Sequence, residues 1–445
     1  MASLTLAPLA RPFVAFVERW YPDAWVFAIA LTGVTFLAAI ALTDTGPLAA
    51  VDLWGDGLSG LLAFTTQIAL TLVLAHTLAH TDAVRGLLAR TAALPRTPFA
   101  AYATVAAATS AASLVAWSLG LAAGALLARE TARQAAGRGL RLDYPLLVAS
   151  AYSGFVVWHM GYSGSAPLFV ATPGHALEAA TGLVPVTETL LAPWNLAMIA
   201  VTVPVVAVLC GLMHPRDARP FAGGVDGAAD ALPEPRSPGQ RLEQFRPLSL
   251  ALGAVLALWL ARRVAEPGPA LDLNVVNWSF LAAGLLLARS PLHYVHLVTR
   301  AGGTLGPILL QYPFYAGIMA LMTGTGLVVV VSDFFVRVAS ADTLAFWAFL
   351  SGGLVNFFVP SGGGQWVVQG PVFVEAARAL AVPVPEVVMG VAYGDQWSNL
   401  IQPFWTIPLL AIAGLPMRSV LGYAFVTFVV TGVLFGAGLL WVGAA

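Results

Sequence analysis

One carboxylate, Asp395, stands inside a long apolar stretch, in the run Tyr393-Gly394-Asp395-Gln396-Trp397-Ser398-Asn399. Holding a charge at membrane depth costs about 3 kcal/mol or more, so an acid kept there implies an ion or a proton that it serves. Asn399 and Gln402 follow closely and could complete an oxygen shell for Na⁺, while the same carboxylate could instead carry H⁺. Spacing leaves that choice open. His159, in Trp158-His159-Met160-Gly161-Tyr162-Ser163-Gly164-Ser165, is a second titratable candidate that could donate to a substrate or hold the backbone. The run Pro360-Ser361-Gly362-Gly363-Gly364 cannot continue a helix, and its glycines would let backbone amides approach a small anion. Ser361, Asn356 and Ser118, the last beside Gly120, could add side-chain donors, and Trp366, Trp397, Phe404 and Trp405 could wall a short alkyl chain. His76 and His80 have a metal-like spacing but no zinc-protease glutamate, and they read as interfacial side chains rather than a metal site.

These residues belong to a chain of 445 residues that is 59% hydrophobic and 10% charged, against roughly 25% charged in soluble domains. Such a balance describes a polytopic membrane protein. A net charge of -1 offers no basic surface for nucleic acid. All 21 cations are arginine, so the chain holds neither a phosphate-loop lysine nor a lysine for a pyridoxal Schiff base. The single cysteine, Cys210, excludes an intrachain disulfide and a cysteine-rich metal site. No cofactor is implied beyond a coupling H⁺ or Na⁺.

Charge-free stretches, each compared with the roughly 20 residues that one crossing needs, set out the elements that must carry the candidates. Arginines mark the cytoplasmic side, which places the N-terminus inside and the loop 44–57, with its three aspartates, outside. The stretch 98–128 joins two arginine-rich flanks, which predicts a re-entrant hairpin with its tip near Trp117–Gly120. The stretch 343–374 joins two flanks without cation excess, which predicts a second hairpin from the opposite face, turning at Pro360–Gly364. Nine full crossings then leave the C-terminus outside, and 17 of the 21 arginines are cytoplasmic. Leu114-Val115, Ala151-Tyr152 and Pro167-Leu168 recur 240 or 241 positions later as Leu354-Val355, Ala392-Tyr393 and Pro408-Leu409. The expected fold is therefore all-α, with inverted repeats each holding a re-entrant hairpin and a broken transmembrane helix. The first half is 1–213, with hairpin 98–128 and broken helix 144–172. A cytoplasmic linker, 214–246, precedes a second half, 247–445, with hairpin 343–374 and broken helix 387–412. Breaks are expected at Trp158–Ala166 and Gly394–Gln402.

Trp54-Gly55-Asp56-Gly57, Asp143-Tyr144-Pro145-Leu146-Leu147, Ser163-Gly164-Ser165-Ala166-Pro167 and Ala171-Thr172-Pro173-Gly174 resemble the short-chain fatty acid transporter family. Asn356, Pro360–Gly364, Gln369-Gly370-Pro371, Ala392-Tyr393-Gly394, Gln396-Trp397, Asn399 and Gln402-Pro403-Phe404-Trp405 follow that family's order more specifically. The resemblance covers about residues 12–442. It implies a bacterial inner-membrane carrier of small carboxylates such as acetoacetate or butyrate, related to a broader ion-transporter superfamily whose members often dimerise around a moving transport domain. Ser163, Ser165 and Gln369 lie in these motifs and join Ser118, Gly120, Asn356, Ser361, Gly362, Gly363, Gly364, Trp366, Trp397 and Asn399 as candidates for binding substrate. Asp395, Asn399, Gln402 and His159 are the candidates for the coupling ion. The chain has Asp395 where the family often has Glu and Gln365 where it often has His, while His159 stands where the pattern is glycine-rich.

A cation/proton exchanger without organic substrate is the alternative of the same superfamily. An intramembrane enzyme is disfavoured, because neither H-E-x-x-H nor G-x-S-x-G occurs and an aspartyl protease needs two interior acids.

Overall fold

The computed structural model describes residues 7–20, 22–175, 177–221, 234–265, 273–303, 305–360 and 362–444, and helices are its only regular elements. Ser361 and most of the linker, 222–233, lie outside the described residues. Among the described residues, five single helices (Ala24–Leu42, Pro98–Val115, Pro193–Leu212, Arg246–Ala265 and Arg418–Gly443) are long and apolar enough to cross a membrane. Two bent pairs pass the same test together: Pro47–Gly57 with Leu62–Leu78 at 41°, and Ile308–Gly324 with Leu327–Val338 at 62°. The helix Leu273–Leu287 is apolar but shorter. The stretch 44–57, expected as a loop, is mostly helical, because Pro47 supplies the preset φ of a first turn and the helix then packs on Gly306–Gly324.

The first hairpin is Pro98–Val115 and Trp117–Gly137, broken at Ala116, whose φ of -155° and ψ of 129° are those of extended chain. The turn is thus one residue before the expected tip. Its arms are antiparallel: a Cβ at Gly120 would meet Ser113, and one at Gly124 would meet Thr109. The returning arm continues to Gly137, through Arg129, Glu130 and Arg133, past the end of the apolar stretch. The second hairpin is Leu344–Asn356 and Gly362–Ala379.

Each hairpin is followed by a helix that breaks. Tyr144–Gly154 passes into a 3-10 turn at Phe155–Met160 and resumes at Ser165–Ala171. Val384–Ser398 passes into a 3-10 turn at Asn399–Ile401 and resumes at Pro403–Ala413. Asp395 consequently sits in the last turn before the second break rather than within it. The same close contact locks each broken helix to its hairpin. A Cβ on Gly154 would lie 2.4 Å from the carbonyl oxygen of Ala106, and one on Gly394 would lie 2.2 Å from that of Phe349. Only glycine permits backbone that near backbone. The two broken helices run past each other in opposite directions, since Tyr144 bonds to Ala413, Tyr152 to Asn399 and His159 to Gln396.

Breaks in buried helices leave carbonyls and amides that must find partners inside the protein. Here each broken helix serves the other. The Tyr152 hydroxyl donates to the Asn399 carbonyl, and the His159 amide donates to Gln396 Oε1 at 3.0 Å. Asn195 on Pro193–Leu212 donates to the carbonyls of Met160 at 3.1 Å and Leu190 at 2.7 Å, while Tyr393 donates to Asn195 Oδ1 at 2.8 Å. Replacing Tyr152 by Phe removes one of two donors to the Asn399 carbonyl, which keeps the Gln402 amide at 3.2 Å, and about 0.5–1.5 kcal/mol of stability is expected to be lost. Thermal unfolding of the detergent-solubilised protein checks this, and an unchanged Tm would show that the bond carries no load.

Candidate functional site

The two breaks meet at a buried pair. His159 Nδ1 lies 2.8 Å from Asp395 Oδ2, and both side chains are sealed from solvent. The 3-10 turn Phe155–Met160 presents the imidazole, and the last turn of Val384–Ser398 presents the carboxylate. On the other side of the ring, the Ala166 amide donates to Nε2 at 3.0 Å and the Ser165 hydroxyl lies 3.3 Å from it. An amide can donate only to an unprotonated nitrogen, so Nε2 is the acceptor here and Nδ1 is the nitrogen that lies beside Asp395. Trp158 stacks on the imidazole at 4.1 Å.

The second hairpin's returning arm starts against this pair. A Cβ built on Gly362 would lie 2.5 Å from His159 Cε1, 2.5 Å from Ser165 Oγ and 2.8 Å from Asp395 Oδ2. The first hairpin's tip is held from the same break, where the amide of Trp117 donates to Ser163 Oγ at 2.9 Å. Ser163 and Ser165, two residues apart, therefore serve opposite hairpins. An aromatic group links the two regions: Trp158 to Trp405 at 6.1 Å, then Trp405 to Trp117 at 5.0 Å, with Phe64, Tyr312 and Phe404 stacked alongside.

Asp143 and Asp395 are the buried carboxylates among the described residues, and their surroundings differ. Asp143 caps the first broken helix. It accepts from the Leu146 amide at 2.9 Å and from the amide and guanidinium of Arg219 at 3.0 and 3.2 Å. Among the described residues neither oxygen of Asp395 accepts such a hydrogen bond, and its Oδ2 lies 2.8 Å from His159 Nδ1. A capped acid is structural, whereas an acid left with one titratable neighbour is fit to exchange a proton or an ion.

The other sequence candidates divide between this pair and its supports. Asn356 donates to the Asp395 carbonyl at 3.0 Å, to Ser398 Oγ at 2.8 Å and to Asn399 Oδ1 at 2.6 Å, so it fixes the turn that holds the acid. Asn399 thereby has its side-chain oxygen engaged by Asn356 and its carbonyl by Tyr152. Both side-chain polar atoms of Gln402 are buried without a partner. Gln365 donates to the Gly352 carbonyl and to Gln369, which donates in turn to Ser332 and Ser351, pinning the second hairpin to its own outgoing arm. Trp397 donates to the Phe428 carbonyl at 2.7 Å and stacks on that ring, facing Arg418–Gly443. Trp366 is buried against Gly370 and Leu177. Gly120 packs on Ser113 within its own hairpin, Ser118 is buried, and a Cβ on Gly363 would meet Ser165 at an ordinary 3.8 Å. His76 and His80 stack at 4.4 Å, and no group of three metal-ligating side chains occurs among the described residues.

Reasoning from sequence assigned no role to Tyr152, Ser398, Gln396 or the Ala166 amide. Gln396 was visible as a second polar side chain beside Asp395, and Tyr152 as a repeat partner of Tyr393. Nothing in the chain order indicated that either would bond across to the other half.

Relatives of this chain bear on the same reading. One, from Escherichia coli strain K12, is 41% identical over 438 residues, covering 97% of this chain and 98% of the relative; another, from Haemophilus influenzae, is 35% identical over 447 residues, covering 98% and 99%. Both carry the description "Putative short-chain fatty acid transporter". Among solved structures, the Alcanivorax borkumensis YdaH transporter aligns over 95% of this chain and 99% of its own, at 18% identity and a TM-score of 0.45. The pattern described as short chain fatty acid transporter matches residues 5–442. From that match and the two relatives, this chain belongs to the short-chain fatty acid transporter family.

Proposed function

We propose that this protein carries small monocarboxylates, butyrate and acetoacetate among them, across the bacterial inner membrane as a secondary transporter coupled to H⁺ or Na⁺. The observation that carries this reading is the contact of His159 with Asp395, at the meeting of two helix breaks and beneath the start of the second hairpin. Family membership supplies the substrate class. The absence of lysine removes the usual phosphate-loop route to ATP and leaves an ion gradient as the drive.

In this reading 1–213 and 247–445 are inverted repeats joined by the cytoplasmic linker 214–246, with the N-terminus inside and the C-terminus in the periplasm. The equivalent glycine contacts and opposed broken helices support that relation. Substrate is bound between the hairpin starts by Ser118, Gly120, Ser163, Ser165, Asn356, Ser361–Gly364, Trp366, Gln369, Trp397 and Asn399. Asp395 and His159, with Asn399 and Gln402 nearby, couple the ion. Transport is of the elevator type, in a homodimer. In proteoliposomes, labelled butyrate or acetoacetate is expected to accumulate under a proton or sodium gradient, above the passive entry seen in empty liposomes. No excess under either gradient would sink the proposal, and proton flux without any carboxylate would favour an exchanger.

A further inference from the structure

We infer that His159 is the counter-ion of the transported carboxylate, and that the coupling ion is therefore one proton per substrate, bound at Nε2. This rests on the proposed transport of monocarboxylates and goes further by naming the ion, its site and its stoichiometry.

Every arginine side chain described in the structure is exposed or half-buried, and the chain has no lysine. His159 is thus the group at the meeting of the breaks that can acquire a positive charge. A second buried carboxylate, brought beside Asp395 without a cation, would add like charge to like charge in a low-dielectric site. In the present state Nε2 is an acceptor, filled by the Ala166 amide at 3.0 Å. A carboxylate is an acceptor too, so an imidazole with a bare Nε2 cannot hold it. Once Nε2 carries a proton, the ring donates from both nitrogens: Nδ1–H to Asp395 and Nε2–H to the substrate, on the side that Ser165 and Gly362 line.

The step is a proton transfer from hydronium in the medium to Nε2, in which one O–H bond breaks and leaves a neutral water. One N–H bond forms, the Ala166 hydrogen bond breaks, and the Ala166 amide becomes a second donor for the same carboxylate. Release on the far side reverses it: the proton and the carboxylate leave, and the amide returns to Nε2. Substrate and proton enter together and their charges cancel, so a full cycle moves no net charge.

The groups that face the ring permit this. From Val384–Ser398 comes Asp395, and from the break itself come Ser165 and the stacked Trp158; the hydroxyls of Tyr152 and Tyr393 on the same broken helices are committed elsewhere, to the Asn399 carbonyl and to Asn195. Cys210 on Pro193–Leu212 faces Ser150 and Ser153 instead. Asp395 Oδ1, Asn356 Oδ1 and Gln402 Oε1 are buried oxygens without a hydrogen-bond partner that could face Na⁺ instead, so the test carries a Na⁺ arm.

The test is proton uptake on binding. Butyrate added to the purified, detergent-solubilised protein in weakly buffered, Na⁺-free medium near neutral pH is expected to remove about one proton per butyrate bound, read with a pH-indicator dye, while binding is counted by equilibrium dialysis. Addition of Na⁺ is expected to change neither number. In proteoliposomes the steady-state butyrate level should follow the pH gradient and ignore a K⁺/valinomycin potential. The His159→Gln protein, which keeps a hydrogen-bonding side chain but no titration, should lose both the proton uptake and at least tenfold in affinity. Butyrate binding without proton uptake, or only with Na⁺, overturns the inference while leaving the transport reading intact. Failure to bind or transport any monocarboxylate of one to eight carbons overturns both. The wild-type measurement decides even if the variant does not fold.

Discussion

Replacing Asp395 by Asn is expected to abolish gradient-driven accumulation of butyrate, reducing it to the level of empty liposomes, while leaving the protein folded. The carboxylate is fully buried and unpartnered apart from the His159 ring, so its charge is costly to the fold and is kept for what it does. Asn has nearly the same shape, and its carbonyl can still face His159 Nδ1 at 2.8 Å; the charge that holds the coupling ion is what disappears. Because the variant also removes a desolvated charge, its thermal unfolding temperature should match or exceed that of the wild type. Time courses of labelled butyrate uptake, set beside unfolding curves of the same preparation, separate the two effects. Accumulation equal to wild type would remove Asp395 from the mechanism.

Gly362→Ala is expected to cut uptake by roughly five- to a hundredfold, since the new Cβ would overlap His159 Cε1 and Ser165 Oγ, both 2.5 Å away, and an overpacked site costs about 1–3 kcal/mol. The overlap exists only while the second hairpin is seated on the pair. The variant therefore penalises the seated state and leaves the withdrawn one untouched. Gly363→Ala is the internal control. Its Cβ would sit 3.8 Å from Ser165, an ordinary contact, and it should keep more than half of the wild-type rate. Equal losses in the two variants would mean that the glycines serve close approach of substrate to the backbone rather than seating on His159. Initial rates at several butyrate concentrations decide between these outcomes.

Much of the site was legible because lipid makes polar residues conspicuous. Asp395, His159 and the Pro360–Gly364 run stand out in stretches otherwise free of charge, and a helix cannot pass Pro360 and three glycines unbroken. Arginine placement separated hairpins from crossings by a simple length argument. Finer positions were less legible. Ala116 is an ordinary helix former, and it breaks the first hairpin because Ser163, 47 residues later, receives the Trp117 amide at 2.9 Å. Likewise the helix Pro47–Gly57 hides in a stretch whose three aspartates suggested a loop, and packing on Gly306–Gly324 decided it. Trp397 appeared fit to wall a substrate, yet its indole N–H is drawn to the Phe428 carbonyl.

The sequence by itself determined that this is an all-helical membrane protein of the short-chain fatty acid transporter family, because apolar run length, charge position and breaker residues act locally. It also singled out His159 and Asp395 separately, each as a polar residue out of place. Only the tertiary structure decided that they touch, 236 positions apart, and that the Ala166 amide takes His159 Nε2. Pairing of that kind depends on two broken helices crossing in opposite directions, and a crossing is set by packing between distant segments, such as Gly154 on Ala106 and Gly394 on Phe349. Neighbours in the chain carry no record of it.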